Sequence, residues 1–264
     1  MEFPTSSQVE IIRLILSTYQ DGTGQLALKQ GKTLPGWRDF ERAVAFSLKG
    51  IAQENKAIFD VLVPNSEDSA FFGISCKMRR ELKYPKQNFD VPLELSNSSG
   101  KFWEVLTESD GLTPQTYKQH PEHVAQAILS IVQGWHENTQ LQMGVEIDLD
   151  VSFFLSLLWN GNGYYQLFQF PLEMPDFKKL LWHFPPDKNG IPGRHLRGED
   201  DQGKLFEWYG ESGGQLKYYP RAAQAIWKSD PFQLEALPES TPDGVSAKAQ
   251  TYFPKQWAAA QKSG

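Results

Sequence analysis

Three residues stand out for the chemistry they offer together: Asp60 in the run Phe59-Asp60-Val61-Leu62-Val63, and Ser75 and Lys77 in Phe71-Phe72-Gly73-Ile74-Ser75-Cys76-Lys77. Both runs are apolar and rich in β-formers, so a charge inside either is costly unless it meets a partner or a ligand. Side chains alternate along a strand, which puts Ser75 and Lys77 on one face and Cys76 on the other. An Asp and a Lys at the ends of two adjoining strands suit hydrolysis. The carboxylate ligates Mg2+, and the ammonium orients or helps to deprotonate the attacking water. Two more acids accompany them. Glu41 borders the buried stripe of a predicted helix, because Val44, Ala45 and Leu48 follow it at i+3, i+4 and i+7. Glu94 lies in Val91-Pro92-Leu93-Glu94-Leu95-Ser96-Asn97, at the edge between a strand and the next helix.

The elements that must hold these groups follow from periodicity and caps. Thr5-Ser6-Ser7 ahead of Val9, Ile12, Leu14 and Ile15 predicts an N-capped helix ending near Tyr19. A second helix is expected over residues 37–55, with Trp37, Phe40, Val44, Leu48 and Ile51 on one stripe. Strands are expected over 57–63, 71–77 and 90–95, and helices over 98–106 and 113–133. Beyond residue 145, strands over 151–159 and 164–170 flank Asn160-Gly161-Asn162-Gly163, a strong hairpin signal. Short strands near Leu180, Leu205 and Leu216 and a small helix over 221–228 complete the pattern. The expectation is a single α/β domain, a mixed central sheet flanked by helices. Residues 1–140 form its core, 141–237 a β-rich elaboration, and 238–264 a loosely ordered tail rich in Pro, Ser and Ala.

Composition narrows the classes. With 40% hydrophobic and 22% charged residues over 264 positions, the chain has no disorder signature. The apolar run 9–16 contains Glu10 and Arg13 and is too short to span a bilayer, so no membrane segment is expected. One cysteine, Cys76, excludes a disulfide within the chain and a zinc cluster built on cysteines, and fits a reducing, cytoplasmic setting. A net charge of −6 argues mildly against nucleic acid, but clustering counts for more. Lys77, Arg79, Arg80, Lys83 and Lys86 follow the second strand. Arg194, His195, Arg197, Lys217, Tyr218, Tyr219 and Arg221 surround a Gly-rich stretch over 207–215. Such hairpins suit groove entry, with Arg and Lys reaching guanine edges and phosphates.

The runs Phe40-Glu41-Arg42-Ala43-Val44-Ala45, Phe59-Asp60-Val61-Leu62-Val63 and Phe71 to Lys77 together resemble the PD-(D/E)xK nuclease superfamily, and within it the type II restriction endonucleases. The likeness covers residues 37–107: an acid on the preceding helix, an Asp on the first core strand and a Lys on the second. Phe59 stands where the motif has Pro, and Ser75 where it has an acid. A Ser-x-Lys form occurs among enzymes that cut CCGG-containing sites, which take the missing carboxylate from farther along the chain. The resemblance thus implies a restriction-endonuclease-like fold, Mg2+ as cofactor, double-stranded DNA as substrate and a homodimer matched to palindromic sites. It assigns Asp60, Ser75, Lys77, Glu94 and Glu41 to catalysis, with Asp60, Glu94 and Glu41 as metal ligands and Glu81 as the alternative to Glu94. Arg79, Arg80, Lys83, Arg194, Arg197, Lys217, Tyr218 and Arg221 are the expected DNA contacts.

Competing signals are weaker. Gln30-Gly31-Lys32-Thr33 mimics the end of a phosphate-binding loop, but its first glycine position is Leu26 and a helix precedes it. His120 and His123 lack a third ligand. Glu146, Asp148 and Asp150 alternate and form the strongest rival metal site. No Gly-x-Ser-x-Gly elbow exists, and Cys76 lacks a His partner, so nucleophilic catalysis is not expected.

Overall fold

A computed structural model describes residues 4–53, 58–65, 70–96, 99–108, 110–139, 144–211 and 213–262. Ala57 of the expected first strand, residues 54–55 of the expected second helix, and Ser98 and Ser212 lie outside that set. The first helix, α1 (Ser6–Thr18), starts as the sequence predicts: the Thr5 hydroxyl accepts the Gln8 amide and the Gln8 side chain accepts the Thr5 amide. Strands β1 (Leu26–Ala27) and β2 (Thr33–Leu34) form a small hairpin around the tight turn at Gln30 and Gly31, so the phosphate-loop mimic leads into no helix.

Helix α2 (Trp37–Ser47) is shorter than the expected 37–55. Lys49 takes a positive φ of 54°, and its amide and that of Gly50 bond the Phe46 and Ala45 carbonyls, a Schellman end. Gly50 fits there because a Cβ would come within 2.7 Å of the Leu62 carbonyl. Ile51, expected on the helical stripe, begins β3 (Ile51–Ala52) and is exposed, as is Trp37.

Strands β4 (Val61–Pro64) and β5 (Phe71–Arg79) follow, then β6 (Leu93–Ser96), which starts only after Pro92, a residue with no amide to donate. Helices α3 (Ser99–Glu108) and α4 (Pro121–Glu137) come next. The expected helix over 113–133 is displaced because Pro121 occupies the first helical position and His120 before it is non-helical (φ −132°, ψ 58°). Only a single 3-10 turn, Tyr117–Gln119, precedes it. Strands β7 (Phe153–Trp159) and β8 (Tyr164–Pro171) form the expected hairpin, closed by Gly163 at φ 79° and by amides of Asn162 and Tyr164 donated to Asn160 Oδ1. After β9 (Leu181–His183), β10 (Leu196–Asp200), β11 (Gly203–Trp208) and β12 (Leu216–Tyr218), the expected helix over 221–228 is a 3-10 turn, Ala222–Gln224, then β13 (Trp227–Lys228) and β14 (Phe232–Gln233). The residues of the expected loose tail form two largely exposed helices, α5 (Gly244–Tyr252) and α6 (Pro254–Lys262). Among the described residues no helix is long and apolar enough to cross a membrane.

The architecture is α/β. A mixed seven-stranded sheet runs β13-β8-β7-β5-β4-β3, with β14 beside β8; β5 and β7 are parallel and the other pairs antiparallel. A separate antiparallel sheet has the order β6-β12-β11-β10-β9. The expected third core strand thus belongs to this second sheet and does not adjoin β5. Helices α1 and α2 bury Ile12, Leu16, Phe40 and Val44 against Val61, Ile74, Cys76, Phe153, Leu155 and Leu157 on one face of the large sheet. The opposite face, with Leu62, Phe154, Leu158 and Phe168, packs with Phe102, Val124, Ile128 and Leu129 of α3 and α4 and with Leu196, Phe206, Trp208 and Leu216 of the second sheet. Alternation along β7 divides the two cores, and each fully buried side chain of this size contributes roughly 1.5–3 kcal/mol.

Candidate active site

Between the large sheet, the second sheet and α4 lies a cleft of about 580 Å3. Asp60, Ser75, Lys77, Glu41 and Glu94 all line it. Asp60 sits just before β4, one residue outside the strand in which it was expected. Its backbone is nevertheless fixed, donating to the Ile74 carbonyl at 3.0 Å and accepting from the Gln53 amide at 2.8 Å. Phe59, fully buried, lies flat against Gly73 of β5; a Cβ on Gly73 would come within 2.2 Å of its ring. This packing gives a reason for an aromatic residue ahead of Asp60. Ser75 and Lys77 share a face of β5, in register with Phe154 and Ser156 of β7.

Asp60 Oδ2 accepts the Cys76 amide at 2.7 Å and stands 3.4 Å from Lys77 Nζ. Both contacts fall on Oδ2, so Oδ1 has no partner among the described residues. Glu41 reaches the cleft from α2, and its pKa rises to about 7; burial is the main cause and the Asp60 charge the second, with Lys77, Arg38 and Arg42 opposing. Glu94, from β6, is bound by Arg79. Burial, with Lys77 adding repulsion, lowers the His136 imidazole to about 4, so the ring is neutral at physiological pH. Burial pushes the Cys76 thiol well up, with the Asp60 charge adding to the shift.

Three carboxylates line this partly buried cleft, and two of them, Asp60 and Glu41, the latter with a raised pKa, form a donor set whose repulsion a hard divalent cation would relieve. Asp60 Oδ1 and Glu41 are the carboxylates that fit it; Glu94 requires release from Arg79 first. Among the described residues no group of three or more His, Cys, Asp or Glu is placed to hold a metal unaided. The rival acids Glu146, Asp148 and Asp150 do not form such a group either. Their segment bends back on itself, with the Asp150 amide bonded to Asp148 Oδ1. His123 pairs with Asp110 at 3.0 Å. Glu81, the alternative acid, is exposed and outside the cleft.

Sequence reasoning missed Trp37, Lys101, Trp135 and His136, which also line the cleft. His136 lies one turn beyond buried Val132, and its ring packs on Phe154 with centroids 6.1 Å apart. Starting the helix at Pro121 would have carried it far enough to reveal this residue. Of the expected DNA contacts, Arg80 lies over the Trp159 ring at 5.1 Å, Lys83 is exposed, and Arg194, 78% exposed, is 3.9 Å from Glu211. Two of the expected contacts are buried. Tyr218 stacks on Phe206 at 4.9 Å, and Arg221 forms a two-pronged ion pair with Asp200 at 2.8 and 2.5 Å. No family model, curated protein or solved structure matches the chain.

The raised Glu41 pKa gives a signed prediction. A carboxyl whose folded pKa lies above its unfolded value favours folding below about pH 4.5, and that contribution is lost as pH rises through 7. Glu41→Gln is therefore expected to stabilise the metal-free protein by about 1–2 kcal/mol at pH 8, after allowance for partial exposure, and not at pH 4.5. Thermal melting of both proteins at the two pH values checks it; an equal effect at both removes the electrostatic account of Glu41.

Proposed function

We propose that the chain is a Mg2+-dependent, site-specific DNA endonuclease of the type II restriction class, built on the PD-(D/E)xK nuclease plan in its Ser-x-Lys form and acting as a homodimer. The observation that carries this reading is the convergence on one cleft of Glu41 from α2, Asp60 from just before β4, Ser75 and Lys77 from β5, and Glu94 from β6. A mixed sheet flanked by helices supports the fold assignment.

Asp60 and Glu41 would hold the cation, with Glu94 as a further ligand once freed from Arg79. Bound Mg2+ would supply positive charge against the scissile phosphate and acidify water. Lys77 donates to the attacking water and offsets charge developing on the phosphate oxygens. Ser75, buried and on the same face of β5 as Lys77, offers a hydroxyl at the position where the motif carries an acid. Water attacks phosphorus in line, the bond to the 3′ oxygen breaks, and the products are a 5′-phosphate and a 3′-hydroxyl.

Incubating the protein with unmethylated plasmid and phage DNA, with Mg2+ or with EDTA, tests the reading. Discrete fragments that need Mg2+ and carry 5′-phosphates are expected. A smear with the same dependence would move the assignment to a repair or structure-specific nuclease of the same fold. Intact DNA on every substrate would reject both. The direct contact of Lys77 with Asp60 favours one other reading, a structural ion pair in a non-catalytic binding protein. On that reading millimolar Mg2+ or Ca2+ would not raise the melting temperature, whereas a native metal site raises it.

A further inference from the structure

Directly opposed residues of an antiparallel pair share a face of the sheet. In the second sheet the register aligns His183 with Arg197, Arg197 with Glu207, Glu207 with Lys217 and Lys217 with Glu94. A row of charged and titratable side chains thus crosses all five strands and ends at Glu94, which lines the cleft and is held by Arg79. Leu196, Phe206, Trp208 and Leu216 take the opposite face, in the core.

Two cations in the row are held in place and keep donors to spare. The buried Glu207 carboxylate is saturated by Arg197 Nε (3.1 Å), Lys204 Nζ (2.9 Å), and the hydroxyls of Tyr209 (2.8 Å) and Tyr219 (3.1 Å). Arg197 spends only Nε on it. Neither terminal nitrogen is engaged among the described residues, and the side chain is 38% exposed. Lys217 lies over the Tyr209 ring at 4.9 Å and forms no ion pair among the described residues, since Glu94 opposite it is taken by Arg79. Adjacent strands lie about 4.8 Å apart, so Arg197 and Lys217 are roughly 10 Å apart at the backbone, and Glu94 is one strand further towards the cleft.

We propose that this face is a phosphate track: Arg197 and Lys217 grip the backbone of a DNA duplex and lead it to the cleft, with Glu207 buried beneath as the residue that positions Arg197. The proposal rests on the nuclease reading above and adds the surface that holds the substrate. A planar guanidinium with a free edge suits phosphate oxygens, and a lysine fixed against an aromatic ring loses less freedom on binding than a loose one.

Binding of a labelled duplex of about 30 base pairs, measured by fluorescence anisotropy in EDTA and in Ca2+ over a range of salt, tests it. Each phosphate contact contributes about 0.9 to the slope of log affinity against log salt. Arg197→Ala and Lys217→Ala are expected to reduce that slope by about 0.9 each, and the double variant by about 1.8. Arg197→Lys keeps the charge and is expected to retain the slope. Lys29→Ala, on the exposed turn after β1, is expected to leave it unchanged. If the parent protein binds and cuts DNA while the alanine variants keep the parent slope, the track is wrong and the nuclease reading stands. An equal drop for Lys29→Ala would also overturn the track, as a general charge effect. A parent that neither binds nor cuts any duplex overturns both.

Discussion

Asp60→Asn is expected to slow Mg2+-dependent DNA cleavage by about 100- to 1000-fold, the scale of losing one charge-stabilising group from an active site. The substitution is chosen because the amide oxygen can still accept the Cys76 amide, which the native Oδ2 does at 2.7 Å. What is lost is the negative charge facing Lys77 and the charged oxygen left free for a cation. Single-turnover cleavage rates, with far-ultraviolet circular dichroism as a check on folding, measure the effect. A rate within a few-fold of the parent would mean that Asp60 holds no metal, and the placement of the site would fall with it.

Glu207→Ala carries the largest expected effect on stability. The residue is 3% exposed, and its carboxylate binds Arg197, Lys204 and two tyrosine hydroxyls. Burial opposes its ionisation, but the bonds from Lys204 and Tyr209, the Lys204 charge and the bond from Arg197 outweigh burial and lower its pKa to about 2. Removing one partner of a buried pair leaves the others uncompensated, at a cost of about 3–5 kcal/mol. In a chain of this size that corresponds to a fall of roughly 6–20 °C in melting temperature. Because the folded pKa is depressed, this stabilisation is present above about pH 4.5 and is lost as pH falls towards 2, so parent and variant should converge in acid. Melting curves at pH 7 and pH 2.5 check both statements. A fall of less than 1 kcal/mol at pH 7 would show that solvent already satisfies the cluster.

The parts of the site that could be read from the sequence are those set by local rules. Asp60, Ser75 and Lys77 were placed by alternation in apolar runs, and Glu41 by its position beside Phe40 on a helix border. Their meeting in one cleft follows from the pairing of β4 with β5 and from α2 packing on that sheet. The hairpin at Asn160 to Gly163 was equally legible, since turn chemistry is local. Glu94 was legible as a residue but not in its setting. Its strand pairs with β12, more than a hundred residues later, and no pattern near Pro92 announces that. The settings of Tyr218 and Arg221 were hidden for the same reason: Phe206 stacks on the one and Asp200 pairs with the other, and both partners lie well away in the sequence. His136 was missed through an element boundary, because Pro121 moves the start of α4 and carries its last turn into the cleft.

Digestion of plasmid DNA by the parent protein and by Lys77→Ala, each with Mg2+ and with EDTA and each shown to melt as a folded protein, tests the central claim most directly. Discrete fragments from the parent with Mg2+ alone, and none from the variant, are the predicted result. Equal cleavage by the two proteins, or DNA left intact by the parent with Mg2+, would contradict it.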